Sequence, residues 1–106
     1  DFEEHMPPVL VEDPQPYEVV ASPIGVTGTA NTFEANFAYE LKDASGRVLA
    51  EDFATATSGT GTRGTFELSV PYEVADHQDG TLVVFEHSAK DGSRINVQEI
   101  PLRLSP

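Results

Sequence analysis

Residues 33–41 read FEANFAYEL and alternate without a break. Phe33, Ala35, Phe37, Tyr39 and Leu41 fall on one parity, and Glu34, Asn36, Ala38 and Glu40 on the other. Successive side chains of a strand point to opposite faces, so the stretch predicts a strand with one side in a core and the other in water. It reads as the central strand of a small sandwich, with the remaining segments folding against its apolar side.

Those segments supply partners. Tyr17–Ala21 predicts a short strand, which Ser22-Pro23 interrupts because proline cannot continue a ladder. Ile24–Ala30 follows, with Ile24, Val26, Gly28 and Ala30 on one face, and the small residues there predict a bulge or the close approach of another backbone. Asn31-Thr32 turns the chain into the central strand, and Asp43-Ala44-Ser45-Gly46 closes a hairpin after it. Arg47–Thr57 is a weak return strand with Leu49 and Phe53 on one face. Glu51 and Asp52 suit it to an edge, where charge discourages further pairing.

Residues 58–63, SGTGTR, read as a polar loop rather than a phosphate cradle, lacking the lysine ending and the strand-to-helix setting of one. Thr65–Val70 is a strand that Pro71 ends, and residues 71–80 form a connection with room for one helical turn. Thr81–Ser88 is almost continuously apolar, which fits a strand buried in the middle of a sheet. After a turn at residues 90–93, Arg94–Leu104 is the last strand. Ile95 and Val97 have one parity and Ile100, Leu102 and Leu104 the other, which predicts a bulge near Gln98–Pro101. About seven short strands with no helix between them predict an all-β, immunoglobulin-like antiparallel sandwich. The chain has no cysteine, so this sandwich has no disulfide. Residues 17–106 are expected to form it, and the proline-rich, acidic residues 1–16 to form a linker or arm. Within that arm Val9, Leu10 and Val11 are apolar enough to pair with a sheet edge.

Charge narrows the function classes. Eighteen acidic residues against six basic ones give a net charge of −12. Such a surface repels nucleic acid and anionic membranes, since no basic stripe exists to displace counterions. It suits a cationic partner, a divalent metal, high salt, or simple solubility. No run of eighteen apolar residues occurs, so no spanning helix is expected. The chain opens on Asp1 without a signal-peptide pattern and reads as a piece of a longer protein, so that lack assigns no compartment.

Chemistry-bearing constellations are sparse. His5, His77 and His87 have no metal-ligand spacing, and structural or solvated roles are expected for them. A small sandwich with short loops offers little cleft for a carboxylate pair, so no enzyme activity is expected. Asp43, Asp76, Asp79 and Asp91 fall in turns, where calcium takes its oxygen ligands. No EF-hand or fixed aspartate repeat accompanies them, and aspartate before glycine is ordinary turn chemistry. No cofactor is expected, with calcium the alternative left open. Glu86 interrupts the apolar run LVVFEHS, so it either faces solvent or meets a donor such as Arg63, Ser88 or a backbone amide; pairing is the favoured reading. Glu34, Glu86 and Ser88 are the expected structural polar residues, and Arg63, Asp76 and Asp79 mark the loop surface expected to bind.

Read end to end, the chain resembles the immunoglobulin-like domain of bacterial spore-germination proteins, the second GerM-associated domain. The residues that carry this are Ser22-Pro23, Val26-Thr27-Gly28-Thr29-Ala30-Asn31 and Phe33-Glu34-Ala35-Asn36. Asp43 with Gly46, Arg63-Gly64-Thr65-Phe66, Val84-Phe85-Glu86-His87-Ser88 and Asp91-Gly92-Ser93 continue it, over roughly residues 9–104. The resemblance implies an extracytoplasmic accessory module of a bacterial surface or secreted protein, with no catalytic residue to carry over. Its partner is then another protein or a neighbouring domain of the same chain, with no nucleic acid and no membrane insertion, and the isolated domain is expected to be monomeric. A passive spacer and a calcium-dependent adhesion-like module are the alternatives. An exposed sheet face, or the loop end at residues 58–63 and 76–80, is the expected working surface.

Overall fold

The structure is a computed structural model, and it describes residues 9–30, 36–55, 64–88 and 90–106. Those residues form eight strands: β1 (Val9–Asp13), β2 (Val19–Ala21), β3 (Ile24–Ala30), β4 (Asn36–Lys42), β5 (Val48–Thr55), β6 (Gly64–Val70), β7 (Gln78–His87) and β8 (Arg94–Ser105). They build two sheets, one ordered β1-β3-β6 and the other β2-β8-β7-β4-β5. The chain changes sheet at every step from β1 to β4, and again between β5 and β6 and between β6 and β7. The expected immunoglobulin-like sandwich is therefore present.

All pairings are antiparallel except β2 with β8, where Val19–Ala21 run parallel to Arg103–Ser105. The eighth strand, β1, comes from the stretch read as an arm. It pairs with β3, as the apolar triplet Val9, Leu10 and Val11 allows, and its Val9 is buried in the core. Val9 is placed there because it faces Ala30, the last apolar position of β3.

The core lies between the sheets. Phe37, Tyr39 and Leu41 of β4 point into it, as their parity requires, together with Leu82 and Val84 of β7, and Ile100, Leu102 and Leu104 of β8. From the smaller sheet come Ile24, Val26, Phe66 and Val70. Phe37 and Phe66 meet across the interface at a centroid distance of 4.8 Å and 62°, the edge-to-face arrangement that aromatic quadrupoles favour. The middle strand of the larger sheet is β7, with β4 next to it; the apolar run of β7, buried on both faces, explains that place.

Gly28 is small for the expected reason. A Cβ there would lie 2.0 Å from the Leu10 carbonyl oxygen and 2.7 Å from the Phe66 ring, so β1 and that ring occupy the space a side chain would need. Tyr72, just after β6, fastens the open end of the sandwich. Its hydroxyl, with one proton to give, lies 2.7 Å from the Ser105 carbonyl and 3.0 Å from that of Val20, while its amide donates to Ser22 Oγ at 3.0 Å. One residue thereby joins β2, β8 and the end of β6.

Three local expectations are corrected. Residues 71–77 contain bends and no helical turn, because β7 begins at Gln78 and takes up the rest of that connection. The extra residue of β8 lies between Ile95 and Gln98, earlier than expected, and Asn96 there adopts φ 53°. Leu49 and Phe53 do not share a face. The β4–β5 register shifts between Leu41/Ala50 and Lys42/Val48, so Leu49 sits in the irregularity and packs on the core while Phe53 faces outward.

Candidate functional site

The larger sheet buries residues on both of its faces. On the side away from the core, Ala38, Val83 and Phe85 form a second buried cluster. Register places them together: Ala38 lies opposite Phe85 on one side and Phe53 on the other. One row further along, Glu51, Glu40, Val83 and Glu99 stand side by side across β5, β4, β7 and β8.

This face has an aromatic centre. His87 lies over Phe85 edge-on at 5.3 Å and beside Phe53 at 6.0 Å. The Arg94 guanidinium lies 4.2 Å from the centre of the Phe85 ring, within cation–π distance. The same guanidinium donates to Glu40, a carboxylate only 5% exposed. Arg94 thus caps Phe85 and neutralises Glu40 together, which is how a glutamate can stay on an apolar sheet face. Beside this cap the face is open. Phe53, on β5, is 71% exposed, and Val97, in the irregularity of β8 three strands away, 49%. A shallow groove of about 400 Å³ runs there, bounded by Glu51, Asp52, Phe53, His87 and Arg94.

Electrostatically the face is acidic. Glu51 stands directly opposite Glu40 in the β4–β5 register, and like charges so placed repel. Arg94 relieves Glu40, whereas neither Glu51 nor Glu99 has an ion-pair partner among the described residues. On the inner side of the same sheet, Tyr39 has its phenol raised by burial and by the charge of Asp52 opposite.

Of the residues expected to bind, the structure describes Asp76 and Asp79. Arg63 and Glu34 lie outside the described residues, as does His5. Asp76 is exposed in the connection before β7. Asp79 is on β7 rather than in a turn, since pairing with β8 extends down to Gln78, and it forms an exposed ion pair with Arg103 at 3.2 Å. Glu86 is almost buried and accepts a hydrogen bond from Asn96 Nδ2 at 2.7 Å, so it is paired as favoured, by a donor the sequence had not suggested. Ser88 belongs to the β7–β8 turn, where its amide donates to the Ser93 carbonyl at 2.7 Å and its hydroxyl accepts from the Lys90 amide at 3.2 Å.

The turn aspartates are occupied with backbone. Asp43 Oδ1 accepts from Ser45 Oγ at 2.7 Å and from the amides of Ser45 and Arg47 at 2.9 Å each. Asp91 Oδ1 accepts from Ser93 Oγ at 2.7 Å and from its amide at 3.0 Å. In each turn the glycine has positive φ, 87° at Gly46 and 76° at Gly92. The Ser45 hydroxyl and then the Arg47 amide hold Asp43 below the usual carboxylate range, and Ser93 does the same for Asp91 through its hydroxyl and amide. Among the described residues no three histidine, aspartate or glutamate side chains are grouped so as to hold a metal ion.

Phe53, Phe85, Arg94 and Val97 were not singled out from sequence, although two signals pointed to them. An apolar run buried on both faces, LVVF, needs cover on its outer side as well as its inner one. Ile95 and Val97, out of phase with Ile100, announced the irregularity in β8 next to Phe85.

The comparisons with known proteins agree with this architecture. A family model described as the immunoglobulin-like domain of bacterial spore germination, Gmad2, matches residues 8–93. Among solved structures, the crystal structure of CopC from Methylosinus trichosporium OB3b is similar with a TM-score of 0.51 and 16% sequence identity, over 92% of this chain and 94% of that chain. At that identity the likeness is one of fold. No curated protein matches the sequence. With its two-sheet topology and a match that spans most of the chain, this protein belongs to the Gmad2 family of immunoglobulin-like domains of bacterial spore germination.

Proposed function

We propose that the domain is an extracytoplasmic accessory module that works by protein–protein contact rather than catalysis, through the outer face of its larger sheet. The observation that carries this reading is the exposed ring of Phe53 at the groove beside His87 and Arg94, next to a second buried cluster on the side away from the core. An isolated exposed apolar residue is ordinary, but one that borders a groove beside a capped aromatic cluster supports a contact. Membership of a spore-germination family supports the extracytoplasmic setting. The partner is another envelope protein or a neighbouring domain of the same chain.

A photo-crosslinking amino acid tests this when placed at Phe53 and, separately, at Ser69, an exposed position on the smaller sheet, in the full-length protein in its own cells. The reading expects a discrete adduct with an extracytoplasmic protein, or a cross-link to a neighbouring domain, from position 53 alone. Equal cross-linking from both positions, or none from position 53, overturns it in favour of a passive spacer.

A further inference from the structure

Charge on the outer face says what kind of partner it takes. Four positions of one row, Glu51, Glu40, Val83 and Glu99, span four adjacent strands. Neighbouring strands lie about 4.8 Å apart, which puts the two end positions about 14 Å from each other. Glu40 is satisfied by Arg94; the carboxylates at the two ends have no cation among the described residues. Between and beside them lie the apolar elements, Val83 within the row, Phe53 and Phe85 in the next, and Val97 in the β8 irregularity.

We infer that this face receives an extended, cationic segment of a partner protein, with two basic side chains flanking an apolar centre. The inference rests on the contact reading above and adds the chemistry of the occupant. The partner's apolar side chain enters the groove between Phe53 and the Arg94 cap, and its two cations meet Glu51 and Glu99. A cation at Glu51 also relieves that residue's repulsion from Glu40 across the strand pair. An extended chain rises about 3.3 Å per residue, so residues four apart are about 13 Å apart and match the carboxylate spacing. A second copy of this chain is a poor occupant, because at −12 it meets the face with the same sign of charge.

The probe is the pentapeptide Ac-Lys-Val-Phe-Val-Lys-NH2, titrated to millimolar concentration into ¹⁵N-labelled domain at low salt. Counterparts ending in glutamine and in glutamate are titrated in parallel, with amide shifts as the readout. The expected result is that the lysine peptide shifts the amides of Phe53, Phe85, His87 and Val97 at least about fivefold more tightly than the glutamine peptide. The glutamate peptide produces no shift. Glu51→Gln with Glu99→Gln abolishes the difference between the lysine and glutamine peptides, and Phe53→Ser weakens both.

Equal binding of all three peptides to this face overturns the charge inference and leaves the contact reading standing. Shifts confined to other surfaces overturn both. Absence of any shift with the lysine peptide overturns the charge inference, and the cross-linking experiment then decides the contact reading separately.

Discussion

At the scale of single residues, the sandwich depends on a few polar side chains that finish what the ladders leave open. Tyr72 is the clearest case, since its buried hydroxyl serves the carbonyls of Val20 and Ser105 at 3.0 and 2.7 Å. Burial also pushes its phenol above the usual range. Tyr72→Phe keeps the ring and removes the one proton that the two carbonyls share. The expected cost is about 1–2 kcal/mol, read as a lower midpoint in a chemical melt with unchanged slope. Asp43 and Asp91 act in the turns, and both titrate below the ordinary carboxylate value. A carboxylate with a depressed folded pKa stabilises the fold above its unfolded value, near 3.8, and that stabilisation is lost as pH falls through the folded value. The Asp43→Asn, Asp91→Asn double variant therefore melts lower than the parent at pH 7. The gap narrows as the pH is taken from 4 downward, about where the parent's own carboxylates begin to protonate. A gap that stayed constant to pH 2 (about two units below the unfolded value) would assign the effect to something other than ionisation.

Among the elements, the larger sheet carries two different cargoes on its two faces, and the strand alternation that produces this is visible in the sequence. The inward parity of Phe37, Tyr39 and Leu41 and the burial of the LVVF run were both legible because period-two patterning is local. So were the edge position of β5, from Glu51 and Asp52, and the tight approach at Gly28. The core-bound β1 was harder to place, because Pro7, Pro8, Pro14 and Pro16 dominate its surroundings and only Val9–Val11 argue for pairing. The outer site was less legible still. Its members come from β4, β5, β7 and β8, and the offsets that align them depend on bulges at Leu49 and between Ile95 and Gln98, which periodicity can announce but not locate. The Glu40–Arg94 pair joins positions 54 residues apart in sequence. Arg94→Gln strands Glu40 beside Glu51 on a nearly closed surface. It is expected to destabilise by about 1–3 kcal/mol, toward the low end because the guanidinium is half exposed. Adding Glu40→Gln should restore part of that loss and leave the part due to the uncovered Phe85 ring. A double-mutant cycle in denaturant measures the coupling, and purely additive losses would show that the pair contributes nothing.

For the molecule as a whole, the proposed contact surface is separate from the core that holds the fold. The core between the sheets, joined by Phe37 and Phe66 and fastened by Tyr72, holds the fold, while the outer side of β5, β4, β7 and β8 presents an acidic surface with an aromatic centre. This separation is the account's central claim, and the most direct test is the thermal melt of Phe53→Ser combined with Val97→Ser. Exposed side chains that serve a partner contribute little to the isolated domain, usually within about 0.5 kcal/mol each. The double variant should melt within about 8 °C of the parent, given that 1 kcal/mol moves a domain of this size by about 4–8 °C. A fall of about 10 °C or more would contradict the claim, since Phe53 and Val97 would then belong to the structure that holds the domain together rather than to the surface it offers.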